Sequence, residues 1–191
     1  MKVPTQLDSR FRTAAHSDGL VDVAYELADT PLGTLLLAKT EQGLCRIEYD
    51  PVPDRDVEML ARFFGRRVLR TPGALDDVRR QLDEYFEGGR RDFELDLDLR
   101  LARKPFSRRV LEQLARVPYG EVTTYGALAN RAGAPRAARA VGTVMNRNPI
   151  PIVLPCHRVV GSTGSLVGYG GGLPRKEALL KLESALDPTL L

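Results

Sequence analysis

Pro149-Ile150-Pro151-Ile152-Val153-Leu154-Pro155-Cys156-His157-Arg158-Val159-Val160 is an apolar run that delivers a thiol, an imidazole and a guanidinium in three consecutive residues. Ile152, Val153 and Leu154 are β-branched or large, which predicts a buried extended segment, and proline on either side keeps it from becoming a helix. Such a segment holds Cys156 at the edge of a core, partly desolvated, with two potentially cationic neighbours able to favour its thiolate. Cys156 is therefore a candidate nucleophile. The alternative, a small buried hydrophobe followed by surface residues, is the usual fate of a single cysteine.

Ahead of this stretch the pattern is helical. Phe106, Val110, Leu111 and Leu114 form one apolar stripe that stops before Pro118-Tyr119-Gly120. Thr123 or Thr124 is placed to cap a helix running through Asn130, with Gly133 as its stop. Pro135 then opens another helix at its first turn, predicted to run to about Arg147 before Asn148-Pro149. Two short helices joined by a glycine-containing turn are a helix-turn-helix signature. In the second helix Ala137, Ala138, Ala140, Gly142 and Thr143 leave the surface nearly bare, and Arg136, Arg139 and Arg147 supply charge. Small residues permit close approach to a packed neighbour or a nucleic-acid groove, with arginines reaching phosphates or a base stack. Tight packing in a core explains the alanines; it explains a mid-helix Arg139 less well.

Further upstream the period changes to that of strands. Residues 1–20 lack apolar periodicity and read as a mobile extension. Val21 to Tyr25, Gly33 to Ala38 and Leu44 to Tyr49, separated by turn signals, predict an antiparallel meander. Helices are expected from Asp54 to Phe64 and around Leu75, Val78, Leu82, Tyr85 and Phe86, the second ended by Gly88-Gly89. From Phe93 to Leu101 apolar residues alternate with charged ones, which fits a half-buried strand or an extended connector with a solvated acidic face. Arg103-Lys104-Pro105 marks a boundary. The fold class is α+β: a small N-terminal domain with an antiparallel sheet over 21–101, a mainly helical domain over 102–186, and a tail at 187–191.

Composition narrows the chemistry. The 191 residues, 43% hydrophobic and 28% charged, suffice for a sizeable core. Two cysteines, Cys45 and Cys156, make no disulfide framework, and with His16 and His157 they lack ligand-loop spacing, so neither a zinc site nor an oxidising compartment is expected. The N-terminus carries no signal-peptide pattern and no run approaches membrane-spanning length, which predicts a cytoplasmic protein, or a nuclear one in a eukaryote. Net charge is +3, yet from Arg103 to Arg147 nine Lys/Arg stand against two Glu, a local +7 that leaves −4 for the remainder. Such asymmetry suits a polyanion partner for the basic half, or an exposed arginine-rich face.

Pro155-Cys156-His157-Arg158-Val159 resembles the active-site motif of the O6-alkylguanine-DNA alkyltransferases, also called methylated-DNA–protein-cysteine methyltransferases. The resemblance extends through Phe106, Val117-Pro118-Tyr119-Gly120, Tyr125, Ala138-Arg139-Ala140-Val141-Gly142, Asn148-Pro149, Gly168-Tyr169-Gly170-Gly171-Gly172 and Glu183. It implies that Cys156 accepts, once and irreversibly, an alkyl group from O6 of a guanine flipped out of double-stranded DNA, with O4-alkylthymine as a second candidate lesion. It implies that His157 takes the thiol proton through a water, that Glu183 orients His157, and that Tyr125 protonates guanine N3. Arg139 would fill the vacated stack, with Thr124, Arg136, Ala138 and Ala140 also on the DNA-binding side. Asn148, Met145, Val159, Tyr169 and Gly170 would border the base, Val159 through its carbonyl and Gly170 through its amide. The family implies no cofactor, no metal and no membrane partner, and a monomer in isolation.

The chemistry agrees with those roles. Displacement at an alkyl carbon favours a soft thiolate, a relay to histidine supplies it, and a positioned phenol helps a poor leaving group by ~10²–10⁴ in rate. The product thioether has no ready leaving group. Three departures from the family pattern stand out: Leu111 where tryptophan is frequent, Gly170 where some relatives have serine, and no zinc-binding cysteines in the N-terminal domain. Two other classes compete. A DNA-binding sensor without transfer activity is disfavoured by Cys156, and a cysteine hydrolase would need an oxyanion hole and a base that reaches the thiol directly.

Overall fold

The computed structural model describes residues 10, 12–15 and 18–185. The chain divides into two compact units, residues 1–87 with 94–101, and residues 88–93 with 102–191. In the first unit β1 (Val23–Thr30), β2 (Gly33–Thr40) and β3 (Gly43–Tyr49) form the expected meander, joined by two-residue turns. Helix α1 (Pro53–Phe64) then carries the chain to β4 (Val68–Arg70), and α2 (Asp76–Phe86) follows. The sheet order is β3-β2-β1-β4, and β4 runs parallel to β1, so the sheet is antiparallel only in its first three strands. Leu36 and Ala38 pack with Val23, Cys45 and Leu60 of α1. Leu35 and Leu37 point to the other face by strand alternation and are equally buried, so both faces are covered.

The alternating segment 93–101 is a connector. It makes one parallel bridge, Leu97 to Leu44, and ends in a 3-10 turn at Leu99–Leu101. Gly43 makes this approach possible: its φ is +132°, and a Cβ there would sit 2.2 Å from the Asp96 carbonyl oxygen. The acidic face is not wholly solvated. Asp98 is buried and accepts from Thr40 Oγ1 at 2.7 Å and Arg100 Nε at 2.9 Å, and those bonds, together with the Arg100 charge, hold its carboxyl below the usual range although burial opposes them.

The expected extension at 1–20 is helical at residues 10 and 12–15, with Ala15 buried. Its other residues to 17, and the tail at 187–191, lie outside the described residues.

The second unit is built on α3 (Pro105–Leu114), α4 (Tyr125–Arg131) and α5 (Ala138–Asn146), which pack on one another. A 3-10 turn (Cys156–Arg158) and α6 (Leu173–Leu182) complete it, and α6 packs on that turn. Two short strands tie the pieces together: β5 (Thr123–Thr124) runs parallel to β6 (Val159–Val160), with Thr123 opposite Val159 and Thr124 opposite Val160. The start of the helix-turn-helix is thereby hydrogen-bonded to the residues that follow Cys156. No helix among the described residues is long and apolar enough to cross a membrane.

Candidate active site

The helical hairpin begins at a cap. Thr124 is extended, and its Oγ1 accepts from Ala127 N at 3.1 Å, leaving the hydroxyl proton free to donate. The second helix starts later than its sequence suggests. Pro135 and Arg136 lie in a turn closed by Ala137 N to Ala134 O at 2.9 Å, a place where proline is preset by its φ. Helix α5 therefore runs from Ala138 to Asn146, Arg136 precedes it, and Arg147 is its C-cap. Arg139 is not mid-helix but the second residue of the first turn, exposed along with Ala140. Its guanidinium pairs with no described residue, although a cation at a helix N-terminus opposes the backbone dipole. A charge kept in so unfavourable a place suits an external anion.

After α5 the stretch 149–160 is not the extended segment expected. Pro151 and Leu154 bridge each other across a turn at Ile152-Val153, and Ile152 has a φ of +75°. That is the left-handed region, rarely adopted by a β-branched residue and costing of order 1–3 kcal/mol. Asn148 holds the turn closed. Its Nδ2 donates to the Leu154 carbonyl at 2.7 Å, and its Oδ1 accepts from Ile150 N at 3.1 Å. The same Nδ2 reaches Cys156 Sγ at 3.1 Å, so one buried amide fixes both the turn and the thiol.

Cys156 itself opens a 3-10 turn and is 4% exposed. Burial pushes its thiol up to about 11, against the Asn148 hydrogen bond and the charge of Lys176, which pull it down. The expectation that its two neighbours favour a resting thiolate is corrected on both counts. Arg158 turns away: its Nε and Nη2 fork onto Glu183 at 2.8 and 2.9 Å, and its Nη1 donates to Val117 O at 2.6 Å. His157 is completely buried, and burial holds its imidazole below the usual value despite Glu183, so it is neutral at physiological pH.

The histidine is nevertheless oriented. Its Nε2 lies 2.9 Å from Glu183 Oε1, and since a carboxylate only accepts, Nε2 carries the proton. The basic lone pair is left on Nδ1, which is buried and bonded to no described residue. Glu183 is the last-turn cap of α6, two turns beyond Lys176 on the same buried stripe. Gly120 allows it to approach, with a φ of +78° and a position where a Cβ would lie 3.2 Å from the Glu183 carbonyl oxygen. Tyr119, whose hydroxyl donates to Leu182 O at 3.0 Å, lays its ring under the Arg158 guanidinium, 5.8 Å from the centroid.

Tyr125, the first residue of α4, packs its ring beside Gly142 of α5. Its hydroxyl donates to the Val167 carbonyl at 3.0 Å. Burial, and behind it the charge of a Cys156 thiolate, pushes its phenol above the usual value. Val159 is buried, and its carbonyl, expected to face a base, already accepts from Lys176 Nζ at 2.6 Å. Met145 is buried at the end of α5, Tyr169 is half-buried and exposed Gly170 lies close to Asn146 O. Cys156, Asn148, His157, Glu183, Tyr125 and Val159 thus form one cluster. Arg136, Arg139 and Ala140 lie outside it, exposed at the start of α5 with Ala138 half-buried beside them.

The sequence reading missed Lys176. The signal was available: in α6 the buried positions are Lys176, Leu179, Leu180 and Glu183, so this lysine occupies an otherwise apolar stripe at helical spacing.

The chain matches the DNA-binding domain of the 6-O-methylguanine DNA methyltransferase family over residues 105–185, and its ribonuclease-like domain over residues 23–99. A methylated-DNA–protein-cysteine methyltransferase of Mycolicibacterium paratuberculosis is 41% identical over 169 residues, 88% of this chain and 97% of that protein. One from Methanosarcina barkeri is 42% identical over 159 residues, 83% of this chain and 96% of its own. Among solved structures, the Mycobacterium tuberculosis O6-methylguanine methyltransferase aligns with a TM-score of 0.72 at 41% identity, covering 87% of this chain and 95% of that one. The structure of Mycobacterium tuberculosis OGT in complex with DNA aligns at 0.73 and 40%, covering 85% and 93%.

Proposed function

The chain belongs to the 6-O-methylguanine DNA methyltransferase family, and from that premise we propose that it repairs DNA as a methylated-DNA–protein-cysteine methyltransferase, moving the alkyl group of O6-alkylguanine onto Cys156. The observation that carries this reading is a buried thiol held by Asn148, followed in the chain by a buried imidazole whose tautomer is fixed by Glu183. A resting thiol beside a neutral base calls for proton removal during the reaction, not for the preformed ion pair of a cysteine hydrolase.

The step balances simply. Nδ1 of His157 takes the thiol proton through one water. Cys156 Sγ forms a bond to the alkyl carbon as the bond from that carbon to O6 breaks, leaving the electron pair on the guanine. Tyr125 gives its phenolic proton to N3 of the departing base, at an energetic gain typical of general acids. The thioether product offers no leaving group, so each molecule acts once. The hairpin of α4 and α5 supplies the DNA contacts, Arg139 filling the gap left by the flipped base and so offsetting an unstacking cost of a few kcal/mol. Both cysteines are free thiols, which fits work in a reducing intracellular compartment.

Intact-mass spectrometry after mixing with a duplex that holds one O6-methylguanine tests the reading. The expected result is the mass of one added methyl group per protein, mapped to the peptide containing Cys156, with no second turnover; catalytic turnover or an unmodified protein overturns it. Arg139→Ala separates DNA handling from chemistry. Repair in duplex is expected to fall tenfold or more, in line with an unoffset flipping cost of about 1.4 kcal/mol or greater. Reaction with free benzylguanine and thermal stability stay unchanged, because the side chain is exposed and unpaired. Equal losses on both substrates remove Arg139 from this role.

A further inference from the structure

Lys176 has no exposed surface, and its Nζ reaches three backbone carbonyls, those of Val159 at 2.6 Å, Val167 at 2.9 Å and Gly168 at 3.4 Å. An ammonium has three donors and no acceptor, so three carbonyls satisfy it. Burying a cation is costly unless those bonds are made, and a leucine would serve the helix stripe better. The Tyr125 hydroxyl uses the same turn, 3.0 Å from the Val167 oxygen and 3.4 Å from that of Gly168. Two donors thus share one pair of acceptors, and one of them has to leave during the reaction.

We propose that Lys176 is a positioning residue for alkyl transfer: it clamps the Val159 carbonyl to the Val167–Gly168 turn and holds both when the Tyr125 hydroxyl lets go of that turn to protonate the departing base. This rests on the alkyl-transfer reading above. With Tyr125 alone, release would leave two carbonyls unpaired and the turn free to relax. With Lys176 in place they stay bonded throughout. The Val159 oxygen has two lone pairs, and the lysine aims it by occupying one while the other remains for a base.

The clamp is titratable. Burial pulls the Lys176 ammonium down to about 8, with a Cys156 thiolate acting in the opposite direction. The charged or titratable groups that face it are Cys156, His157 and Tyr125. Cys156 and Tyr125 are shifted upward, and His157 is already neutral, so none of these loses a proton near pH 8. On its own helix Arg175 donates to Gly171 O and Glu177 pairs with Lys181. Above its pKa Lys176 is an amine with two donors for three carbonyls. The transfer rate therefore falls as pH rises through about 8, whereas thiol ionisation alone makes it rise.

The single-turnover rate with free benzylguanine, followed from pH 6 to 10, reads this directly. Wild type is expected to show a falling limb near pH 8. Lys176→Met is expected to react about tenfold more slowly at pH 7 and to lack that limb, and Lys176→Arg to move it above pH 9. Wild-type speed in Lys176→Met, or the same limb in it, overturns the proposal. Hydrogen exchange of wild-type residues 161–172 gives an answer that needs neither a variant nor activity. After correction for intrinsic rates, protection should drop between pH 7 and pH 9, and unchanged protection overturns the clamp. A wild type that transfers nothing at any pH sinks the proposed function instead, a result the exchange measurement distinguishes.

Discussion

Glu183→Gln is expected to lose both stability and transfer. The carboxylate serves two partners at once, orienting His157 through Oε1 and neutralising buried Arg158 through both oxygens. An amide of the same size keeps one acceptor and presents two N–H donors to residues that are themselves donors. The guanidinium is then left with an uncompensated buried charge, which costs roughly 3–5 kcal/mol. For a chain of this size that is about a 10 °C fall in melting temperature. The imidazole loses its fixed tautomer, and general-base assistance worth ~10²–10⁴ goes with it. Thermal melting and single-turnover rates with benzylguanine check the two losses separately, and a variant that melts early yet reacts at wild-type speed removes Glu183 from the proton relay. Glu183 cannot be purely a kinetic residue: the arginine makes it structural as well.

Asn148→Ala is expected to lose stability and transfer as well, for a different reason. The side chain satisfies the Leu154 carbonyl and the Ile150 amide, both buried, and holds Cys156 Sγ. Only the Ile150 amide is left without a partner, because the Leu154 carbonyl keeps the Cys156 amide at 2.8 Å, so destabilisation of about 1–3 kcal/mol is expected in urea unfolding. Ile152 then has less to hold it at a φ of +75°, and the turn relaxes. A thiol displaced by ~1 Å from its attack geometry loses about 10² in rate even toward a free base. Its pKa also rises further, because the Asn148 bond is the foremost influence lowering it. A stable variant with normal transfer would show that the turn keeps its shape unaided.

The legible parts of this protein are those governed by local chemistry. The strand meander, the caps at Thr124 and Gly133, and the helical stripes are set by residues within a turn of one another, and they stand where their spacing puts them. Pro135 misled because proline fits the first turn of a helix and a tight turn equally well, and only the bond from Ala137 N to Ala134 O decides. The three-residue β4 is too short to carry a period. The Cys156 region was read as extended because its residues favour that state; what overrides them is a side chain four to six residues away, Asn148, whose bonds close the turn. The resemblance supplied Glu183 and Tyr125, and contacts spanning 26 and 42 residues in the chain show what they touch. Lys176 carries a side chain that ordinarily faces water, and only its helical spacing to Leu179, Leu180 and Glu183 marks it as interior.

The two-residue pairing of β5 with β6 sets a ruler for the whole second unit. One strand spacing, ~4.8 Å, separates the threonine that starts the helical hairpin from the backbone that leaves the acceptor turn. Residues 125–158 lie between these points in sequence, yet the pairing brings their two ends together. The hairpin is thus tied to the acceptor at both ends, by this pairing where it starts and by Asn148 just after it finishes, so a shift in how the helices meet a groove is passed on to the reacting atoms.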